Sequence, residues 1–136
     1  MKLSRKILII DDVPREAKRL ASELERRGFL VQVLSDGELA LEVIANELPF
    51  LVICDLEMPG MGGMEVMERI AVNPKTRDIA VILVHPTWTP ENFSRSTPSG
   101  RTADCHLNKP FRPLEVASFA QRLWQGAERQ NETAAA

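Results

Sequence analysis

Three acids and one lysine stand where short apolar runs end. Asp11 and Asp12 follow Ile7-Leu8-Ile9-Ile10, Asp55 follows Leu51-Val52-Ile53-Cys54, and Lys109 follows Cys105-His106-Leu107-Asn108. Each run has the length of a β-strand, and in an open parallel α/β sheet the loops beyond the strand C-termini form the crevice where ligands bind. Strands sharing one sheet would therefore bring all four charged groups to one rim. Carboxylates packed within a few ångströms repel one another and rise in pKa unless a cation is present. Mg2+ fits such a site, because it prefers hard oxygen ligands and commonly keeps waters and phosphate oxygens in its shell. Taken singly, each residue is ordinary: adjacent acids after a strand are often a helix N-cap, and a lone lysine is usually a solvated charge. Their common place at strand ends is what points to a site.

The elements that must position them can be read from the apolar pattern. Ile7 to Ile10, Leu51 to Cys54 and Ala80-Val81-Ile82-Leu83-Val84 are continuous apolar runs, suited to strands covered on both faces. Leu30-Val31-Gln32-Val33-Leu34 and Cys105 to Asn108 are interrupted by polar residues, which suits the edges of a sheet. Between the runs lie helical spacings: Ala17, Leu20, Ala21 and Leu24 after Pro14 and before Gly28; Ala40, Val43 and Ile44; Val66, Met67 and Ile70; and Val116, Phe119, Ala120, Leu123 and Trp124 after Pro113. Alternating strand and helix predicts parallel strands joined by right-handed crossovers. Pro86 to Asp104 breaks the rhythm with its prolines, so the fourth helix is expected to be short or irregular, with Pro90 able to start no more than a turn around Glu91-Asn92-Phe93. Residues 1–127 are read as one domain and 128–136 as a short C-terminal tail.

Composition excludes several classes. A chain of 136 residues with 44% hydrophobic content can bury a core as one domain. A net charge of −2 offers no basic footprint, so direct binding to nucleic acid is not expected. No apolar stretch is long enough to span a bilayer and no cleavage pattern follows Met1, so the expected location is the cytoplasm. Cys54 and Cys105 match no metal-ligand spacing and are expected two strands apart, too far for a disulfide. Trp88 and Phe93 could form a partner-binding patch, although plugging local core is the commoner use. Met58, Met61, Met64 and Met67 begin in a loop and read as packing.

The acidic pair Asp11-Asp12, the strand ending in Asp55 with Leu56-Glu57-Met58-Pro59-Gly60-Met61-Gly62-Gly63 behind it, and Lys109-Pro110-Phe111 fall in the order and spacing of a known family. From about Lys6 to Trp124 the chain resembles the receiver domains of two-component response regulators. The resemblance implies a doubly wound, flavodoxin-like (βα)5 fold with strand order 2-1-3-4-5. It implies that Asp55 accepts a phosphoryl group from phosphohistidine as a carboxylate nucleophile. It implies Mg2+ held by Asp12 and Asp55, by Asp11 directly or through water, and by the backbone carbonyl of Glu57. Lys109 would pair with the phosphoryl oxygens, and the Lys109-Pro110 bond is often cis in such domains. The implied partners are a histidine kinase or histidine phosphotransfer protein and a downstream protein target, with the chain a monomer or weak homodimer and no enzyme in its own right.

The same comparison marks two departures. His85 stands where the family has a Ser or Thr whose hydroxyl bonds the phosphoryl group, with Pro86 next to it, and the irregular segment from Pro86 replaces a regular helix. His106 takes the place of the switch aromatic. A ring N–H of His85 could donate to the phosphoryl group, with protonation near neutral pH making that pH-dependent, or the ring could simply fill the pocket. Two further functions use the same residues. One is a pseudo-receiver, an interaction module with impaired switching. The other is an aspartate-nucleophile phosphohydrolase, a class that wants an Asp two residues beyond the nucleophile, where this chain has Glu57.

Overall fold

The computed structural model describes residues 3–86 and 96–135, with side chains described as far as residue 129. Five parallel strands, β1 (Ser4–Ile10), β2 (Leu30–Leu34), β3 (Pro49–Asp55), β4 (Ala80–His85) and β5 (Cys105–Asn108), lie in the order β2-β1-β3-β4-β5. The three apolar runs are the inner strands, and the two polar-interrupted runs are the edges, as expected. Every residue of β3 is buried, whereas Leu30 at the start of β2 is 66% exposed. This is the doubly wound, flavodoxin-like arrangement.

Four helices lie among the described residues: α1 (Pro14–Arg26), α2 (Gly37–Glu47), α3 (Gly63–Val72) and α4 (Pro113–Ala135). Alternation along each strand sends side chains to two faces. Ile7, Ile9, Leu51, Ile53, Ile82 and Val84 meet α1 and α4 through Leu20, Leu24, Val116 and Ala120. Leu8, Ile10, Val52, Cys54, Val81 and Leu83 meet α2 and α3 through Ala40, Ile44, Met67 and Ile70. Met58, Met61 and Met64 pack against this second cluster, as a packing role requires. Pro14 sits in the first turn of α1, where its missing N–H removes no helical bond. Gly28, at φ +86°, makes the turn after that helix. The last helix continues through Gly126, since glycine weakens a helix interior without forbidding it, and residues 128–135 extend it.

No helix separates β4 from β5 among the described residues, and residues 96–104 are irregular. Trp88, Pro90 and Glu91-Asn92-Phe93 lie outside the described residues. The described part is pinned down. The Arg101 guanidinium donates to the carbonyls of Arg77 at 2.8 Å and Ile79 at 2.7 Å and pairs with Asp104 at 3.2 Å. The Ser99 hydroxyl donates to Glu68 on α3, and buried Thr97 closes a turn with Arg101. Cys54 and Cys105 are free thiols on β3 and β5, with β4 between them.

At the opposite end of the sheet from the strand C-termini, Arg5 donates to the Gly28 carbonyl at 3.0 Å and the Arg27 carbonyl at 3.2 Å. Its guanidinium lies 4.6 Å from the Phe29 ring centre and 5.3 Å from that of Trp124. One side chain thereby ties β1 to the end of α1 and to α4 by hydrogen bonds and cation–π contacts.

Candidate functional site

Asp11, Asp12 and Asp55 converge because β1 and β3 are neighbours in register, Ile10 lying beside Cys54. Each offers a carboxylate oxygen within 4.8 Å of the others. Asp11 and Asp55 are buried, at 7% and 5% exposure, while Asp12 is exposed. Asp11 also accepts a hydrogen bond from the backbone N–H of Val13 at 2.8 Å, which fixes the turn into α1. Glu57 is exposed in the loop after β3.

Lys109 enters from the other side. Its backbone N–H donates to the His85 carbonyl at 2.8 Å, and the Lys109-Pro110 bond is cis. Its ammonium donates to Asp55 Oδ2 at 3.1 Å and lies 3.9 Å from Asp11 Oδ1. A further acid, Glu16, places Oε2 3.6 Å from the same ammonium. Sequence reading passed over Glu16, because an acid in the first turn of a helix is ordinarily a solvated group favoured by the helix dipole. The signal that could have found it is spacing: four residues beyond Asp12, one turn into α1, it faces back toward the pocket.

The electrostatics follow from burial. The Asp55 carboxyl is pushed up from 3.8 to about 6, first by burial, with the charges of Asp11 and Asp12 adding and the Lys109 hydrogen bond and charge opposing. Burial alone would lower Lys109, but its hydrogen bond to Asp55 and the charges of Asp11, Asp55 and Glu16 outweigh that and hold it above the usual lysine range. The Cys54 thiol beside the nucleophile position is raised far out of the titrating range, chiefly by burial. It is a core thiol.

His85 closes the end of β4 and is buried, at 1% exposure. Its Nε2 lies 2.9 Å from Nδ1 of His106 on β5, one ring donating to the other, with ring centres 5.0 Å apart. Burial, aided by His106, lowers His85 from 6.5 to about 4, and burial lowers His106 as well. Both rings are therefore neutral at pH 7, and the protonation expected near neutrality is displaced to acid pH.

The geometry can thus present one buried carboxylate, flanked by two more and faced by an ammonium, to a small polar ligand. No described helix is long and apolar enough to cross a membrane. The family profile described as "Response regulator receiver domain" matches residues 7–121. The alkaline phosphatase synthesis transcriptional regulatory protein PhoP of Bacillus subtilis is 29% identical over 126 residues, covering 93% of this chain and 51% of that protein. This chain spans about half the length of that regulator and of the regulatory protein VanRc of Enterococcus gallinarum, of which it covers 55%. Among solved structures, the signal receiver domain of a signal transduction histidine kinase from Syntrophus aciditrophicus is 31% identical, with a TM-score of 0.79, covering 91% of this chain and 92% of that one. A CheY-like response regulator receiver domain protein from Methanospirillum hungatei is 25% identical, with a TM-score of 0.77, covering 95% and 99%. The matched segment runs from within β1 into α4, and the chain belongs to the response regulator receiver domains of two-component signalling systems.

Proposed function

We propose that this chain is a phosphoacceptor, modified on Asp55 and acting through protein partners. The observation that carries the reading is the Asp55 carboxylate, buried at a strand end 3.1 Å from the Lys109 ammonium and within 4.8 Å of the Asp11 and Asp12 carboxylates. An Asp55 oxygen attacks phosphorus while the P–N bond of a partner's phosphohistidine breaks, and the departing imidazole nitrogen keeps the electron pair. Lys109, already beside the nucleophile, turns to the phosphoryl oxygens as their charge accumulates. The donor is a histidine kinase or histidine phosphotransfer protein, and the modified chain docks on a downstream protein target as a monomer or weak homodimer in the cytoplasm. Its charge gives no support to direct binding of nucleic acid. Residues 1–127 form the unit that carries this chemistry, with 128–136 trailing it.

A cluster of carboxylate oxygens is the donor set Mg2+ takes, and one lysine does not neutralise three acids. Asp12 and Asp55, with Asp11 and the Glu57 carbonyl, would hold the ion. When bound, it would offset charge on the carboxylates and on the incoming phosphoryl oxygens. Millimolar Mg2+ should raise the melting temperature by about 2–5 °C through its preference for the folded state, and an unchanged melt would count against the metal assignment.

The direct test is incubation with Mg2+ and acetyl phosphate, followed by intact-mass measurement. One added phosphoryl group, released by hydroxylamine, is the expected result; an unmodified mass would sink the phosphoacceptor reading. The contact between His85 and His106 favours a second reading, a receiver whose switching is impaired. Both rings already satisfy one another where the family uses a hydroxyl free to turn. A chain that stays unmodified yet binds its target would be that module.

A further inference from the structure

We infer that Glu16 is a positioning residue of this pocket, sharing the Lys109 ammonium with Asp55 and withholding it from an incoming phosphoryl group until the site is engaged. The inference rests on the phosphoacceptor reading. Glu16 Oε2 stands 3.6 Å from Lys109 Nζ, between the 3.1 Å of Asp55 and the 3.9 Å of Asp11. That oxygen is shut off from solvent and accepts no hydrogen bond among the described residues, although the side chain as a whole is 44% exposed. A carboxylate free to choose would turn both oxygens to water, since an unsatisfied buried acceptor is costly. Its attraction to Lys109 is what holds this one inward.

Lys109 donates to Asp55 and is attracted by charge to Glu16 and Asp11 as well, so the pull of Glu16 draws the ammonium away from Asp55. A phosphoryl donor brings further negative charge to the same ammonium, and Glu16 both competes for it and repels the newcomer. The way out is also present. A cleft of about 130 Å³, lined by Glu16, Arg19, Pro110, Phe111 and Pro113, opens beside the pair. The carboxylate can swing into it, releasing Lys109.

The test is a double-mutant cycle of Glu16→Gln and Lys109→Ala, read in two ways. In metal-free melts, Glu16→Gln should lower the melting temperature by about 2 °C when Lys109 is present and raise it when Lys109 is alanine, where it removes one of three crowded acids. In acetyl phosphate labelling with Mg2+, Glu16→Gln should speed modification of Asp55 about five-fold in the Lys109 chain and less than about two-fold in the Lys109→Ala chain. Additive melts, or equal labelling rates with and without Glu16, overturn the inference and leave the phosphoacceptor reading standing. An equal speed-up in both backgrounds also overturns it, because Glu16 would then act by charge alone. A parent chain that takes up no phosphoryl group overturns both.

Discussion

Asp55→Asn should gain no phosphoryl group under conditions that label the parent chain, and in metal-free buffer at pH 7.5 it should also be the more stable protein. The first result follows from chemistry, since a carboxamide lacks the anionic oxygen that attacks phosphorus. The second follows from burial. The parent carboxyl titrates near 6 when folded, against 3.8 ordinarily, with burial the largest cause. Because its folded-state pKa is raised, the folded chain keeps a proton that the unfolded chain has already lost. Stability therefore falls as pH rises from about 4 through about 6, and above that window the whole penalty is present. A shift of this size corresponds to at most about 3 kcal/mol; the opposing pull of Lys109 is already counted in it, and the cost of burying an asparagine amide in its place must be subtracted. A net gain of about 1–2 kcal/mol, or roughly 3–8 °C in melting temperature, is expected at pH 7.5. The difference should fade by pH 4.5, where the parent carboxyl is protonated too. Circular dichroism melts at both values would show it; an asparagine variant less stable at pH 7.5 would mean that Lys109 outweighs burial. Millimolar Mg2+ should narrow or reverse the gap, since only the parent offers a charged oxygen there.

Gly63→Ala should damage both fold and chemistry. A Cβ at Gly63 would lie 2.7 Å from the Asp55 carbonyl oxygen, 3.1 Å from the Leu56 Cα and 3.0 Å from a Leu83 methyl. Two of these three atoms are backbone and cannot rotate aside. The first turn of α3 must lift from the sheet, or the end of β3 must move and take Asp55 with it. Alanine is the better helix former by about 1 kcal/mol, so the overpacking cost of roughly 2–3 kcal/mol has to exceed that before any loss is seen. We expect a net destabilisation of about 1–2 kcal/mol by urea unfolding and labelling slowed about ten-fold or more, because small displacements of a nucleophile are expensive. Gly126→Ala supplies the contrast. A Cβ there meets nothing within 4 Å, so the same exchange inside α4 should stabilise by up to about 1 kcal/mol. If both variants shifted the same way, the close approach of α3 to Asp55 would not be what selects glycine at 63.

The parts legible in the sequence were those governed by local pattern. Continuous apolar runs marked the inner strands because a strand covered on both faces has no place for a polar side chain. The edges betrayed themselves through Gln32 and His106, and the acids and Lys109 through their places at run ends. What stayed hidden depended on register and side-chain reach. His85 and His106 meet because β4 sets Leu83 beside His106 and His85 beside Asn108, a pairing no spacing announces. Glu16 looked like any first-turn acid, since nothing along the chain says that the ammonium it faces arrives from 93 residues away. Residues 128–136 read as a short tail, yet the last helix runs on to Ala135, because a glycine weakens a helix interior without ending it.

The Arg5 cluster and the acidic pocket sit at opposite ends of the same strands, separated by the length of β1, about 20 Å. Perturbations so far apart combine nearly independently. The two ends are not equivalent handles. Substitutions around Arg5 should change how much folded protein is present while leaving the chemistry of each folded copy at Asp55 alone, whereas substitutions around Asp55 reach both amount and chemistry.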